Sequence, residues 1–154
     1  MAKGSVKISG LRELDAALAQ LPKATGRAVL RRVLKDAGEP IARAARAKAP
    51  VLTGDLRESV EVSQKLARSQ KSGGAKMTAN GFRSDSKNYV EMFVGPGTNP
   101  QAITQEFGTF KEPAQPFMRP AWDGQRDTAL NLIANTLGPE IERAAARLAK
   151  KAGG

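Results

Sequence analysis

A chain of 154 residues with 25 Lys and Arg against 15 Asp and Glu has the length of one domain, and its net charge of +10 suits phosphate or an acidic protein face. It contains no cysteine and no histidine, which excludes disulfides, zinc-thiolate sites, cysteine nucleophiles and every Ser-His or Cys-His arrangement. With 40% apolar but only 5% aromatic residues and many alanines, the sequence predicts a thin core helped by association with other copies.

The opening stretch "MAKGSVKISGLREL" holds no apolar run of signal-peptide length, and no run of about 18 apolar residues follows, so the sequence predicts a soluble product with no membrane partner. Leu11, Leu14, Leu18 and Leu21 recur at helical spacing and predict a short amphipathic helix over 10–21, ended by Pro22. A longer pattern from Ala24 to Ala49 places Leu30, Val33, Leu34, Ala37, Ile41, Ala44 and Ala45 on one face. On another face Arg27, Arg31 and Lys35 stack at i, i+4, and Gly38-Glu39-Pro40 is expected to kink or split the helix. Residues 22–50 carry eight basic against two acidic side chains.

After Pro50, Thr53-Gly54-Asp55 predicts a turn or a new cap. Alternation then places Val60, Val62 and Leu66 opposite Glu61, Ser63 and Lys65, a half-buried strand starting near residue 58. Its expected partner is "NYVEMFVG" (88–95), with Val90, Met92 and Val94 on one face and apolar residues on both. Between them, residues 64–87 carry six basic side chains (Lys65, Arg68, Lys71, Lys76, Arg83, Lys87) against Asp85, and are rich in Ser and Gly. So little apolar content predicts a long hairpin arm or mobile loop, which a neighbouring subunit would order. "GPGTNP" (95–100) reads as a turn and lacks the third glycine of a nucleotide fingerprint.

"EFGTFKEPAQPFMRPAW" (106–122) gathers three prolines and four aromatics. Gly108 permits a tight turn, and the prolines predict an extended strap with Phe117, Met118 and Trp122 as apolar anchors. A stiff strap loses little entropy on docking, which suits clamping within the chain and contact between subunits alike. Arg119 is placed to pair with a carboxylate, Glu106 being one partner within the motif. Beyond it, Leu130, Ile133, Leu137, Ile141, Ala144 and Leu148 stay in phase across Gly138-Pro139, predicting one bent C-terminal helix over 123–151. The expected architecture is α+β: one domain over 1–154, a small antiparallel β-sheet with a long hairpin arm, packed by N-terminal helices (10–49) and a long C-terminal helix. Within that domain, 58–95 forms strand, arm and strand, and 101–122 a short element and the strap.

Three functional classes fit these residues. Asp55, Glu58 and Glu61 are the nearest acidic cluster and on a helix could hold a hard cation, but strand alternation would separate them; a metal-dependent nuclease can be threaded through Asp55, Glu61 and Lys65. Arginines at i, i+4 with the basic arm suit sequence-independent DNA binding through phosphates, although Phe82 is the only aromatic in the basic segments. The third class is a structural subunit, and the motifs favour it. "TGDLRESV" (53–60), "VGPG" (94–97), "EFGT" (106–109) and "PAQPFMRPAW" (113–122), in this order, resemble the tail-completion or neck proteins of long-tailed bacteriophages over roughly residues 5 to 150.

Thr53, Gly54, Leu56, Arg57 and Ser59 match the first family motif, and Glu106, Phe107, Gly108, Thr109, Pro113, Pro116, Phe117, Arg119 and Pro120 the second. "QAITQ" (101–105) departs from the more aromatic run the family commonly carries there. The resemblance implies a non-enzymatic virion protein without cofactor. It also implies a homo-oligomeric ring, six-fold to match tail symmetry, at the head-tail junction and assembled in the host cytoplasm. Its partners would be other neck and tail proteins, with genomic DNA passing through the bore.

Overall fold

The structure is a computed structural model that describes residues 10–51, 54–64 and 90–153. Along the chain run α1 (Leu11–Gln20), α2 (Lys23–Lys48), α3 (Asp55–Ser59), β1 (Glu61–Ser63), β2 (Phe93–Gly95), α4 (Gln101–Phe107) and α5 (Met118–Ala152). The chain is mostly helical, and its small sheet is a two-stranded antiparallel pair in which Val62 faces Val94.

The long helices α2 and α5 form the frame, and their contacts show that they run antiparallel. Val29 and Val33 pack with Ile141 and Ala144, Ala37 and Ile41 with Ala129, and Ala42, Ala45 and Ala49 with Ala121. Most of these side chains are alanines, which lets two helix backbones approach closely and fill the space between them without large groups. Leu14, Leu18 and Leu21 of the first helix and its exit close the end where α2 begins. Val29 and Ala42, absent from the predicted stripe, are buried, whereas Leu30, Leu34 and Ala44 are half-buried. The stripe drifts because a helix of 3.6 residues per turn rotates its contact line over 26 residues.

Neither proline interrupts its helix: α2 continues through Pro40 and α5 through Pro139. Gly38, expected to help split α2, instead lies under the sheet. A Cβ built there would stand 3.0 Å from Val62 Cγ1 and 3.2 Å from Val94 Cγ2. The absent side chain is what lets the strand pair lie on the helix.

Three boundaries differ from the sequence reading. Residues 55–59 are helical, so the strand begins at Glu61; Gly54 takes φ 89° and Ser59 Oγ donates to Leu56 O at 2.7 Å, which favours a tight turn of helix. The alternation is real but short, with Val60 buried, Glu61 exposed and Val62 half-buried. The second strand starts at Phe93 rather than residue 88, and α5 begins at Met118 rather than 123, absorbing the end of the strap. Apart from Gln64, the expected arm over 64–87 lies outside the described residues.

Leucine favours helix more than glycine does, so Gly38→Leu isolates the collision with the sheet. It should lower unfolding stability by about 1–3 kcal/mol, measured by urea denaturation.

Candidate functional site at the start of the long helix

An α-helix begins with four N–H groups that have no partner in the helix. At the start of α5 these belong to Phe117, Met118, Arg119 and residue 120. The Glu106 carboxylate, at the end of α4, accepts the first three: Phe117 N–H and Met118 N–H at Oε2 (2.8 and 3.0 Å) and Arg119 N–H at Oε1 (3.0 Å). The fourth is proline, which has no N–H. One side chain and one ring therefore settle the whole helix start. The negative charge also lies at the positive end of the helix dipole. Partial burial pushes the Glu106 pKa up, but the three N–H bonds and the nearby Arg119 charge outweigh it, and the group titrates below the ordinary glutamate range.

The loop between α4 and α5 is folded back to bring Glu106 there. Gly108 closes α4 with its N–H on Thr104 O and takes φ 76°, and a Cβ would stand 2.6 Å from Ala114 N, so only glycine fits. Thr109 Oγ1 accepts from the N–H groups of Lys111 and Glu112, and Gln115 N–H reaches Gln105 O at 2.7 Å. Phe110 sits at the tip with its ring wholly in solvent.

Beginning the helix at Met118 sorts the three expected anchors. Phe117 is fully buried among Leu56, Val60, Ala102 and Ala121, and Met118 is half-buried. Trp122 is 53% exposed, because it follows inward-facing Ala121 and is turned about 100° from it. Arg119 meets Glu106 through its backbone N–H, while its guanidinium lies 5.2 Å from the centre of the Phe107 ring. Ile103, Phe107 and Trp122 wall an open groove of about 670 Å³ with Pro96 and Pro100; Ala102 and Phe117 lie at its base, and Glu106 and Arg119 line it too. Ile103 belongs to "QAITQ", and nothing in its spacing signalled that it would be 71% exposed.

The remaining predicted residues divide. Gly54 starts α3 and Leu56 is buried in the Phe117 cluster, while Arg57 is exposed and Thr53 lies outside the described residues. Of the basic set, Arg31 and Lys35 are exposed, and Arg27 is half-buried with its Nε enclosed and unbonded. Lys65, Arg68, Lys71, Lys76 and Arg83 fall outside the described residues. Thr109, Pro116 and Pro120 are exposed. Asp55 and Glu58 lie on α3 and Glu61 on β1; among the described residues no Asp and Glu group is placed to hold a metal ion. No described helix is long and apolar enough to cross a membrane. Sequence reasoning missed Arg46, which donates to Val60 O and to Glu39 and so ties α2 to the start of β1.

A family model described as "Bacteriophage HK97-gp10, putative tail-component" matches residues 12–108. The chain belongs to the HK97-gp10-like family of bacteriophage tail components. No curated protein and no solved structure gives a match. The matched stretch runs from α1 to Gly108 at the end of α4, so it includes the carboxylate that caps α5 but not α5 itself. Membership makes the chain a structural component of a phage tail, with other phage proteins as its partners and the virion as its location.

Glu106→Ala should cost about 1–2 kcal/mol at neutral pH. Because the folded pKa is the lower one, the ionised carboxylate's contribution is full above the ordinary glutamate range and is lost as pH falls through the folded value. Thermal melts of parent and variant should therefore converge as the pH is lowered from neutral to below that range.

Proposed function

We propose that this tail component is a neck or tail-completion subunit, without catalytic activity, that closes into a six-fold ring joining tail to head around the DNA path. The observation that carries the reading is the concentration of large apolar side chains at one corner. Ile103 (71% exposed), Phe107 (63%) and Trp122 (53%) wall one groove, and Phe110 (102%) stands on the loop beside it. A monomer gains nothing by holding four such groups in water, and contiguous patches of this kind mark protein contacts. The groove receives a neighbouring copy in the ring, with Arg57, Thr109 and Pro116 as exposed residues of the two motifs available to the same contacts.

Glu106, Gly108 and Phe117, together with the exposed Pro120 in the first helical turn, fix the groove's shape, and Gly54 and Leu56 hold the core that backs Phe117. The lack of histidine and cysteine supports a role without bond-making chemistry. The whole chain acts as one domain, assembled in the host cytoplasm and finally placed at the head-tail junction. Binding of DNA through Arg27, Arg31, Lys35 and the arm is the alternative. Only Arg31 and Lys35 of that set are exposed among the described residues.

Ile103→Asp combined with Trp122→Ala should leave the chain folded at a cost of about 1–2 kcal/mol, since Ile103 is 71% and Trp122 53% exposed. The double variant should fail to form rings, read by particle mass, and fail to restore infectivity to phage lacking the parent protein. Normal assembly by this variant would remove the groove from the interface.

A further inference from the structure

At the opposite end of α5 from the groove, the start of α2 and the end of α5 enclose a small cleft of about 150 Å³. Its polar lining is Thr25, Arg32, Glu140, Arg147 and Lys151, over an alanine-containing floor. From Trp122 to Arg147 is 25 residues, about 38 Å of helix, so this is a separate place on the molecule. We propose that the cleft binds the phosphates of double-stranded DNA, with Arg32, Arg147 and Lys151 as the contacting cations.

Three cations face one carboxylate, and that carboxylate is already engaged. Glu140 accepts from Arg32 Nη1 at 2.9 Å and from Arg143 Nη1 at 2.8 Å, one arginine on each oxygen. Its effect is to aim Arg32 and Arg143. Arg147 and Lys151 form no ion pair among the described residues. The cleft as a whole presents uncompensated positive charge.

Spacing selects the kind of anion. Arg143, Arg147 and Lys151 follow one another at i, i+4 along α5. Each step rises about 6 Å, so the row covers about 12 Å, over which one strand of a duplex carries three to four phosphates. The cleft offers cations to a phosphate group and has no aromatic wall on which a base could stack, so the contact is independent of sequence. Basic residues near a helix C-terminus also offset the helix dipole, which accounts for Lys150 and Lys151 but not for the cleft or for Arg32 reaching it from α2. An acidic protein face could use one or two of these cations; the evenly spaced row and the chain's net charge of +10 favour a polyphosphate.

The site is independent of the groove and of ring closure, and is tested on the full chain by fluorescence anisotropy with a random-sequence duplex across a salt series. Arg147→Ala with Lys151→Ala should weaken binding about tenfold at low salt and reduce the slope of log affinity against log salt by about 2, one counterion for each phosphate no longer neutralised. Lys111→Ala with Arg126→Ala removes equal charge elsewhere and should leave most of the affinity and the slope in place. Arg147→Lys with Lys151→Arg should bind like the parent, and melting temperatures of all variants should match it. The proposal is overturned if the two alanine pairs weaken binding equally, since net charge alone would then explain it. It is also overturned if Arg147→Ala with Lys151→Ala binds as the parent does, or if the parent binds no duplex while retaining an acidic protein partner.

Discussion

The four N–H positions at the head of a 35-residue helix, which the helix itself cannot pair, are the constraint on which the rest of this molecule turns. Glu106 answers three of them from another element, and Pro120 removes the fourth. That arrangement fixes where α5 starts, and the starting point decides which residues face inward. With the helix opening at Met118, Phe117 and Ala121 go to the core and Trp122 goes to solvent. The exposed groove is therefore a by-product of how a helix end is satisfied. Moving the start by a single residue would rotate the following side chains by about 100° and dismantle the groove.

The same helix is held along its length by small residues. Alanines at 37, 42, 45, 121, 129 and 144 are buried, and the largest fully enclosed side chains are Phe117 and Val60. A low aromatic count suggests a thin core, and the structure gives that composition a positive meaning: close backbone approach of two long helices, with glycine at 38 admitting the sheet. Such packing relies on many weak contacts over a long seam rather than on a few large ones. Among the described aromatic side chains, Phe117 is buried and Phe93 half-buried in β2, whereas Phe107, Phe110 and Trp122 are exposed and free for other duties.

Much of this was legible before any coordinates. The leucine spacing located α1, the alanine and valine spacing located α2, and the in-phase stripe across Gly138-Pro139 gave a single C-terminal helix. The ordered motifs pointed to phage tail proteins, and the family match agrees. Boundaries failed where a local cue was outweighed by a distant one. The prolines of 113–122 suggest an extended strap throughout, yet Pro120 sits comfortably in the first turn of a helix because no N–H is needed there. Glu106 and Arg119 do meet, but through the Arg119 backbone N–H rather than the expected side-chain pairing: no spacing rule describes a carboxylate capping a helix that begins twelve residues later. Ile103 and Arg46 were invisible for the same reason: their roles depend on which surface another segment leaves open.

Phe110, at the tip of its loop with the ring wholly in water, has a consequence for how copies would meet in the proposed assembly. Apolar attraction acts only at touching distance, whereas like charge on a chain of net charge +10 is felt across roughly 8 Å of physiological saline. Two free molecules thus push each other away before the ring can adhere. In the proposed ring the tip would work as a contact adhesive beneath a repulsive cushion, effective once some template has absorbed the charge and lined the molecules up.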